Sequence, residues 1–200
     1  MGSTDSSEGQ PFVRPARLID AEDFAAVQHR SWSAAAEVLG LPAPPDVTHM
    51  ERSWEHAITV PPTKRHRSWI AVDRSAESET VRGVAALAPA SDPDLDGNHC
   101  VELVVLAVDP EWRGRGHGSR LLIAAMQTAR DAGEREAVTW VASGDDATRR
   151  FFEASGWVAD GAFRSLAEGD SDPEQDTELR QVRLATSLES DDDSDEPARP

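Results

Sequence analysis

The spacing of apolar positions changes several times along the chain, and each change marks an element. Phe12 to Ile19 reads as a first strand, and Pro15 within it suits a sheet edge. Phe24, Val27, Ala34 and Val38 then recur at helical spacing. Asp20 is the expected N-cap of this helix, and Gly40 its stop. A Pro-rich link, 41–45, leads to a second helix with Met50, Trp54, Ala57 and Ile58 on one stripe. Thr48 and Glu51 stand at capping-box spacing, and Pro61-Pro62 ends the helix. Strand character follows at Ser68–Asp73 and Thr80–Ala88. Their short polar link predicts an antiparallel hairpin. Cys100–Val108 is almost continuously apolar, as in a central buried strand.

The second half alternates. Ser119–Ala132 reads as a helix with Leu122, Met126 and Ala129 on one face and Gly133 as its stop. Ala137–Ala142 is a strand, and Asp146–Ser155 a helix followed by Gly156. Trp157–Leu166 and Glu178–Leu188 are two further strands. The order is β-α-α-β-β-β-α-β-α-β-β. It predicts an α/β fold built on one mixed sheet with helices on both faces. Residues 12–188 form the expected domain, with small polar residues before it (1–11) and an acidic tail after it (189–200).

Charge refines this picture. The 200-residue chain carries 37 acids against 20 bases, a formal charge of -17, which argues against binding nucleic acid by phosphate neutralisation. The segments 168–178 and 189–200 hold six acids each, so the body is only mildly acidic. Cys100 is the only cysteine, which excludes an intramolecular disulfide and a four-cysteine metal site, and no metal is expected. With no apolar run of bilayer length and no signal-peptide pattern at residues 1–11, a cytoplasmic protein without a membrane partner is expected.

The chemistry concentrates in Val108-Asp-Pro-Glu-Trp-Arg-Gly-Arg-Gly-His-Gly-Ser119, where a strand gives way to a glycine-rich loop and then a helix. Amides of such a loop point inward together, and the helix dipole adds positive potential. Arg113 and Arg115 add formal charge. This is the composition of a pyrophosphate cradle. It lacks the Gly-Lys-Ser/Thr of a P-loop. Gly114, Gly116 and Gly118 are evenly spaced, unlike the dinucleotide fingerprint.

The stretch resembles motif A of the GNAT acetyltransferase superfamily, Arg/Gln-x-x-Gly-x-Gly/Ala after a strand ending in Val-x-Pro. Arg113, Gly116 and Gly118 fill it. The resemblance spans about residues 12–188, including two helices after the first strand. Val81-Arg-Gly-Val84 resembles the third strand of the family, and Asp145–Trp157 its fourth helix. It implies a GNAT-like fold and an N-acetyltransferase that uses acetyl-CoA as co-substrate and a small-molecule or peptide amine as acceptor. Family members often form homodimers. It implies further that Leu106, Ala107 and Val108 pair with the pantetheine arm. The pyrophosphate falls to Arg113, Gly114, Arg115, Gly116, His117, Gly118 and Ser119.

Three positions carry alternatives. Glu102 stands where several members have a general base, and the alternative is a strand-end carboxylate in solvent. Alternation puts it on one face with Val104, Leu106 and Val108, unless the bulge typical of the family intervenes. Phe152 replaces the Tyr that protonates the leaving thiolate in many members, and this chain has no Tyr. Phe152 is then expected to pack on the cofactor arm while water supplies the proton. Asp145 replaces an Asn that contacts pantetheine, and a helix cap is its other role. These departures leave a second reading open, an acyl-CoA-binding module without catalysis. His117 is expected to face solvent, Trp32 and Trp54 to pack in the core, with Trp32 the better candidate of the two for a wall of the acceptor site, Cys100 to lie in the core, and Lys64–Arg67 to form a solvated turn.

Overall fold

A computed structural model describes residues 11–74, 78–166 and 179–189. The two acidic segments and the N-terminal tail fall almost wholly outside them. Among the described residues the fold is mixed α/β, with four α-helices and a seven-stranded sheet. No helix there is long and apolar enough to cross a membrane. The chain divides into two compact units, Met1–Ala88 with Leu103–Ala125, and Pro89–Glu102 with Met126–Pro200.

The first unit contains β1 (Phe12–Pro15), β2 (Arg67–Arg74), β3 (Glu79–Pro89) and most of β4 (Cys100–Val108), with α1 (Ala21–Leu39), α2 (Val47–Thr59) and the start of α3 (His117–Asp131). β1 and β2 are antiparallel, as are β2 and β3, with a register shift between Ala71 and Val72. The core gathers Phe24 and Val27 of α1 against Ile70, Val72, Val81, Val84, Ala86 and Ala107 of the strands. Trp54 closes it from α2, its ring centroid 4.0 Å from that of Phe24. Gly83 lets α3 approach: a Cβ there would lie 2.9 Å from Leu121 Cδ1 and 3.2 Å from the Ala107 carbonyl.

In the second unit the opening residues of β4 pair in parallel with β5 (Glu136–Ala142). β5 is antiparallel to β7 (Leu179–Ser187), and β7 to β6 (Val158–Leu166). Cys100 is buried with Ala90, Val138 and Ala185, as a small core residue. α4 (Asp146–Glu153) turns Phe152 inward onto Trp157. Arg183, 5% exposed, is held by Asp94 at 2.6 and 3.0 Å and by Asp160 at 2.6 Å, with Asp92 3.7 Å away. These carboxylates keep the guanidinium charged, against the cost of its burial.

Several local expectations need correction. The first strand stops at Pro15, and a 3-10 turn occupies Leu18–Asp20. Asp20 makes no side-chain cap on α1. Its carboxylate accepts from both terminal nitrogens of Arg14, at 2.6 and 2.8 Å, and from the Arg17 amide. A bidentate guanidinium outbids a backbone amide. The cap of α2 is Asp46, which accepts from the Thr48 and His49 amides, so Thr48 is inside the helix. Val38 is 80% exposed because the last turns of α1 lie beyond the core.

Candidate functional site

The first unit carries the glycine-rich loop. β4 ends at Val108, and the Asp109 amide donates to the Arg82 carbonyl at 2.9 Å. The buried Asp109 carboxylate accepts from the Glu111 amide, which starts the 3-10 turn Pro110–Trp112. It also accepts from Arg30 Nε and Nη2 at 3.1 and 2.7 Å. Arg113 donates to Ser31 Oγ at 3.1 Å. Two neighbouring residues of α1 therefore anchor the loop.

Beyond Arg113 the chain takes positive φ at Gly114 (76°) and Gly116 (82°), and α3 begins at His117. The amides of Gly116, His117, Gly118 and Ser119 donate to no described residue. These are the orphan donors of a helix N-terminus, and the helix dipole makes them positive. Arg113, Arg115 and Arg120 are exposed around them, and Arg120 Nη1 donates to the Arg115 carbonyl at 3.1 Å. Arg120 was not singled out from sequence; its place in the first turn of α3 is the signal for it. Four free amides and three guanidiniums suit a phosphate or pyrophosphate.

His117 differs from expectation. It is 2% exposed, with Nε2 3.8 Å from Asp73 Oδ1 and Nδ1 without a hydrogen-bond partner among the described residues. Burial pushes its pKa below the ordinary histidine value. Asp73 opposes the shift, and Arg120, Arg82 and Arg115 add to it. Its amide, not its imidazole, is the group available to an anion. Leu106 and Val108 are half-buried, while the Ala107 side chain lies in the core, which leaves its backbone for any ligand.

Glu102, Asp145 and Phe152 belong to the second unit. Glu102 is half-buried on β4, opposite Val138. Burial raises its pKa above the ordinary carboxylate value, Arg164 opposes this, and Asp92 adds to it. A carboxylate so placed holds a proton more tightly than one in water, as a base does. The Asp145 carboxylate accepts from the Thr148 amide at 2.9 Å and caps α4. Phe152 is 3% exposed, edge-on to Trp157 and Phe151, and so lies in the core of this unit. Of the remaining candidates, Trp54 donates to Gln28 Oε1 within the first unit. Trp32 is 38% exposed, with Nε1 on the Pro42 carbonyl. Lys64 is exposed in the turn before β2, and Arg67 is the exposed first residue of that strand.

The chain resembles an N-acetyltransferase from Staphylococcus aureus Mu50, with 16% identity, TM-score 0.65, and 90% of this chain and 99% of that one covered. It resembles yncA from Salmonella typhimurium, whose structure holds its cofactor acetyl-CoA, with 17% identity, TM-score 0.62, and 96% and 98% covered. At these identities the likeness is one of fold. A 63-residue stretch is 37% identical to the mycothiol acetyltransferase of Nocardiopsis dassonvillei, spanning 32% of this chain and 19% of that protein. Residues 31–157, which include the whole glycine-rich loop, match the acetyltransferase (GNAT) family, and the chain belongs to that family.

Proposed function

We propose that the protein moves an acetyl group from acetyl-CoA to a primary amine, with residues 12–188 acting as one acetyltransferase domain. The observation that carries this reading is the set of four unpartnered amides at the start of α3, ringed by arginines. Acetyl-CoA, when bound, supplies an activated thioester. The amides of Gly116–Ser119, with Gly114, Arg113 and Arg115, hold its pyrophosphate. The backbone of Leu106–Val108 aligns the pantetheine arm. Glu102 accepts a proton from the substrate ammonium, directly or through water, and so frees the neutral amine to attack the thioester. With no Tyr in the chain and Phe152 enclosed, solvent protonates the thiolate leaving group. The same reading makes the protein a cytoplasmic enzyme, homodimeric like many of its family, that acts on a small-molecule or peptide amine and not on nucleic acid or membrane.

Thermal melting tests it. Acetyl-CoA at 100 times its Kd adds about 2.7 kcal/mol. At about 2–4 °C per kcal/mol that raises Tm by roughly 5–10 °C. NADH and ATP serve as controls, and no shift with acetyl-CoA would remove the reading. A second reading, acyl-CoA binding without turnover, rests on the missing Tyr. It predicts the same shift with no thiol release on any amine panel.

Gly116→Ala probes the loop itself. At φ 82° a side chain is strained, and its Cβ would lie 2.9 Å from Arg120 Nη1. A left-handed non-glycine residue costs about 1–2 kcal/mol. Calorimetry should therefore show acetyl-CoA affinity falling by roughly 5- to 30-fold if binding needs this backbone. Unchanged affinity would show that the loop amides are not used.

A further inference from the structure

The three arginines around the loop are held differently. Arg113 donates to Ser31, and Arg120 to the Arg115 carbonyl. The Arg115 side chain makes no hydrogen bond or ion pair with a described residue. Its guanidinium lies over the indole of Trp112, 4.3 Å from the ring centroid. Arg82 lies over the same ring at 3.6 Å. Arg82 is fixed in turn from β2, its Nε 3.4 Å from Asp73 Oδ2. A chain of contacts thus runs from the end of β2 through Arg82 and Trp112 to Arg115. Stacking holds a guanidinium by its face and leaves its N–H edge free for an anion.

From this arrangement we infer that Trp112 is a positioning residue for the acyl donor: its indole fixes Arg115 so that the free guanidinium edge meets a phosphate of acetyl-CoA. The inference rests on the acetyl-CoA reading above and adds to it a residue outside the glycine motif. An arginine parked on an aromatic face loses less freedom on binding than one in solvent. The indole therefore acts on affinity for the phosphorylated part of the donor and not on the thioester chemistry.

The test compares three donors, acetyl-CoA, its 3′-dephospho form and S-acetylpantetheine, on wild type, Trp112→Leu, Trp112→Phe, Arg115→Gln and the Trp112→Leu/Arg115→Gln double variant. Trp112→Leu should weaken acetyl-CoA by roughly 2- to 5-fold, the range that a cation–π contact at an exposed site covers. Trp112→Phe, which keeps an aromatic face, should restore most of it. The double variant should be no weaker than Arg115→Gln alone. Turnover of S-acetylpantetheine, which carries no phosphate, should be the same in wild type, Trp112→Leu and Trp112→Phe. A loss that persists with the dephospho donor places Arg115 at the pyrophosphate, and one that vanishes places it at the 3′-phosphate. Trp112→Met keeps apolar packing if the Leu variant does not fold. Equal losses on S-acetylpantetheine, or additive losses in the double variant, would overturn the inference. A wild type that binds no donor would overturn the acetyl-CoA reading itself, and is recognised before any variant is made.

Discussion

Glu102→Gln lowers turnover by roughly 10²- to 10⁴-fold and leaves acetyl-CoA affinity within about twofold, the signature of a lost general base. The amide keeps the shape of the side chain and removes its ability to take a proton. Burial holds the Glu102 pKa above the ordinary carboxylate value, Arg164 pulls it down, and Asp92 adds to the rise. A base must be deprotonated, so wild-type kcat/KM falls as pH drops through that raised pKa. In the variant this limb disappears, and the remaining activity follows ionisation of the acceptor amine alone. The same shift fixes the sign of a stability effect. A carboxyl whose folded pKa is raised binds its proton more tightly folded than unfolded. Its contribution to stability is therefore greatest at acid pH and is lost as pH rises through the folded pKa. At pH 7 the charged Glu102 costs stability, so Glu102→Gln should melt higher than wild type there, and the gap should close toward pH 4. Stopped-assay kinetics and paired melts check both halves. Unchanged turnover would remove Glu102 as the base, and an unchanged gap between pH 7 and pH 4 would show that its environment does not disfavour the charge.

How much of this was legible depended on whether the cause of each feature is local. The strand Cys100–Val108, the hairpin partners and the left-handed stop at Gly40 follow from runs and residue types within a few positions, and the structure has them. The glycine-rich loop was legible because positive φ at Gly114 and Gly116 is a local demand of the backbone. Asp20 was misread because its competitor, Arg14, reaches it through the fold rather than through helix grammar. His117 reads as a loop residue flanked by glycines, yet it is the first residue of α3 and turns toward Asp73, which only the path of β2 supplies. The tie between Trp112 and Arg82 was invisible for the same reason: one residue is on β3 and the other after β4. Periodicity places Val38 on the stripe of Phe24 and Val27, but it cannot tell that the supporting core stops short of it.

Phe24→Ala should cost about 3–5 kcal/mol, lowering Tm by roughly 6–20 °C in a chain of this size. Phe24 is fully buried in the first unit and stacks against Trp54 at 4.0 Å. Trp54 is tied back to α1 through Gln28, with 2.6 Å between Nε1 and Oε1. Removing the phenyl ring therefore empties the joint that seats α1 on α2 and on the strands below. The consequence extends to the loop, since α1 is also its anchor. Arg30 holds the buried Asp109, and Ser31 accepts from Arg113. A helix that settles into the vacated space takes both partners with it. Acetyl-CoA affinity should then fall along with Tm, although Phe24 itself contributes no group to the loop. Phe24→Leu, which refills most of the volume, should recover most of both losses. Calorimetry on the folded variant below its melting range separates the two effects. If Tm falls as expected while affinity stays at the wild-type value, the Arg30–Asp109 and Arg113–Ser31 ties do not transmit the position of α1 to the loop, and the loop holds its shape by its own glycines and the Trp112 stack.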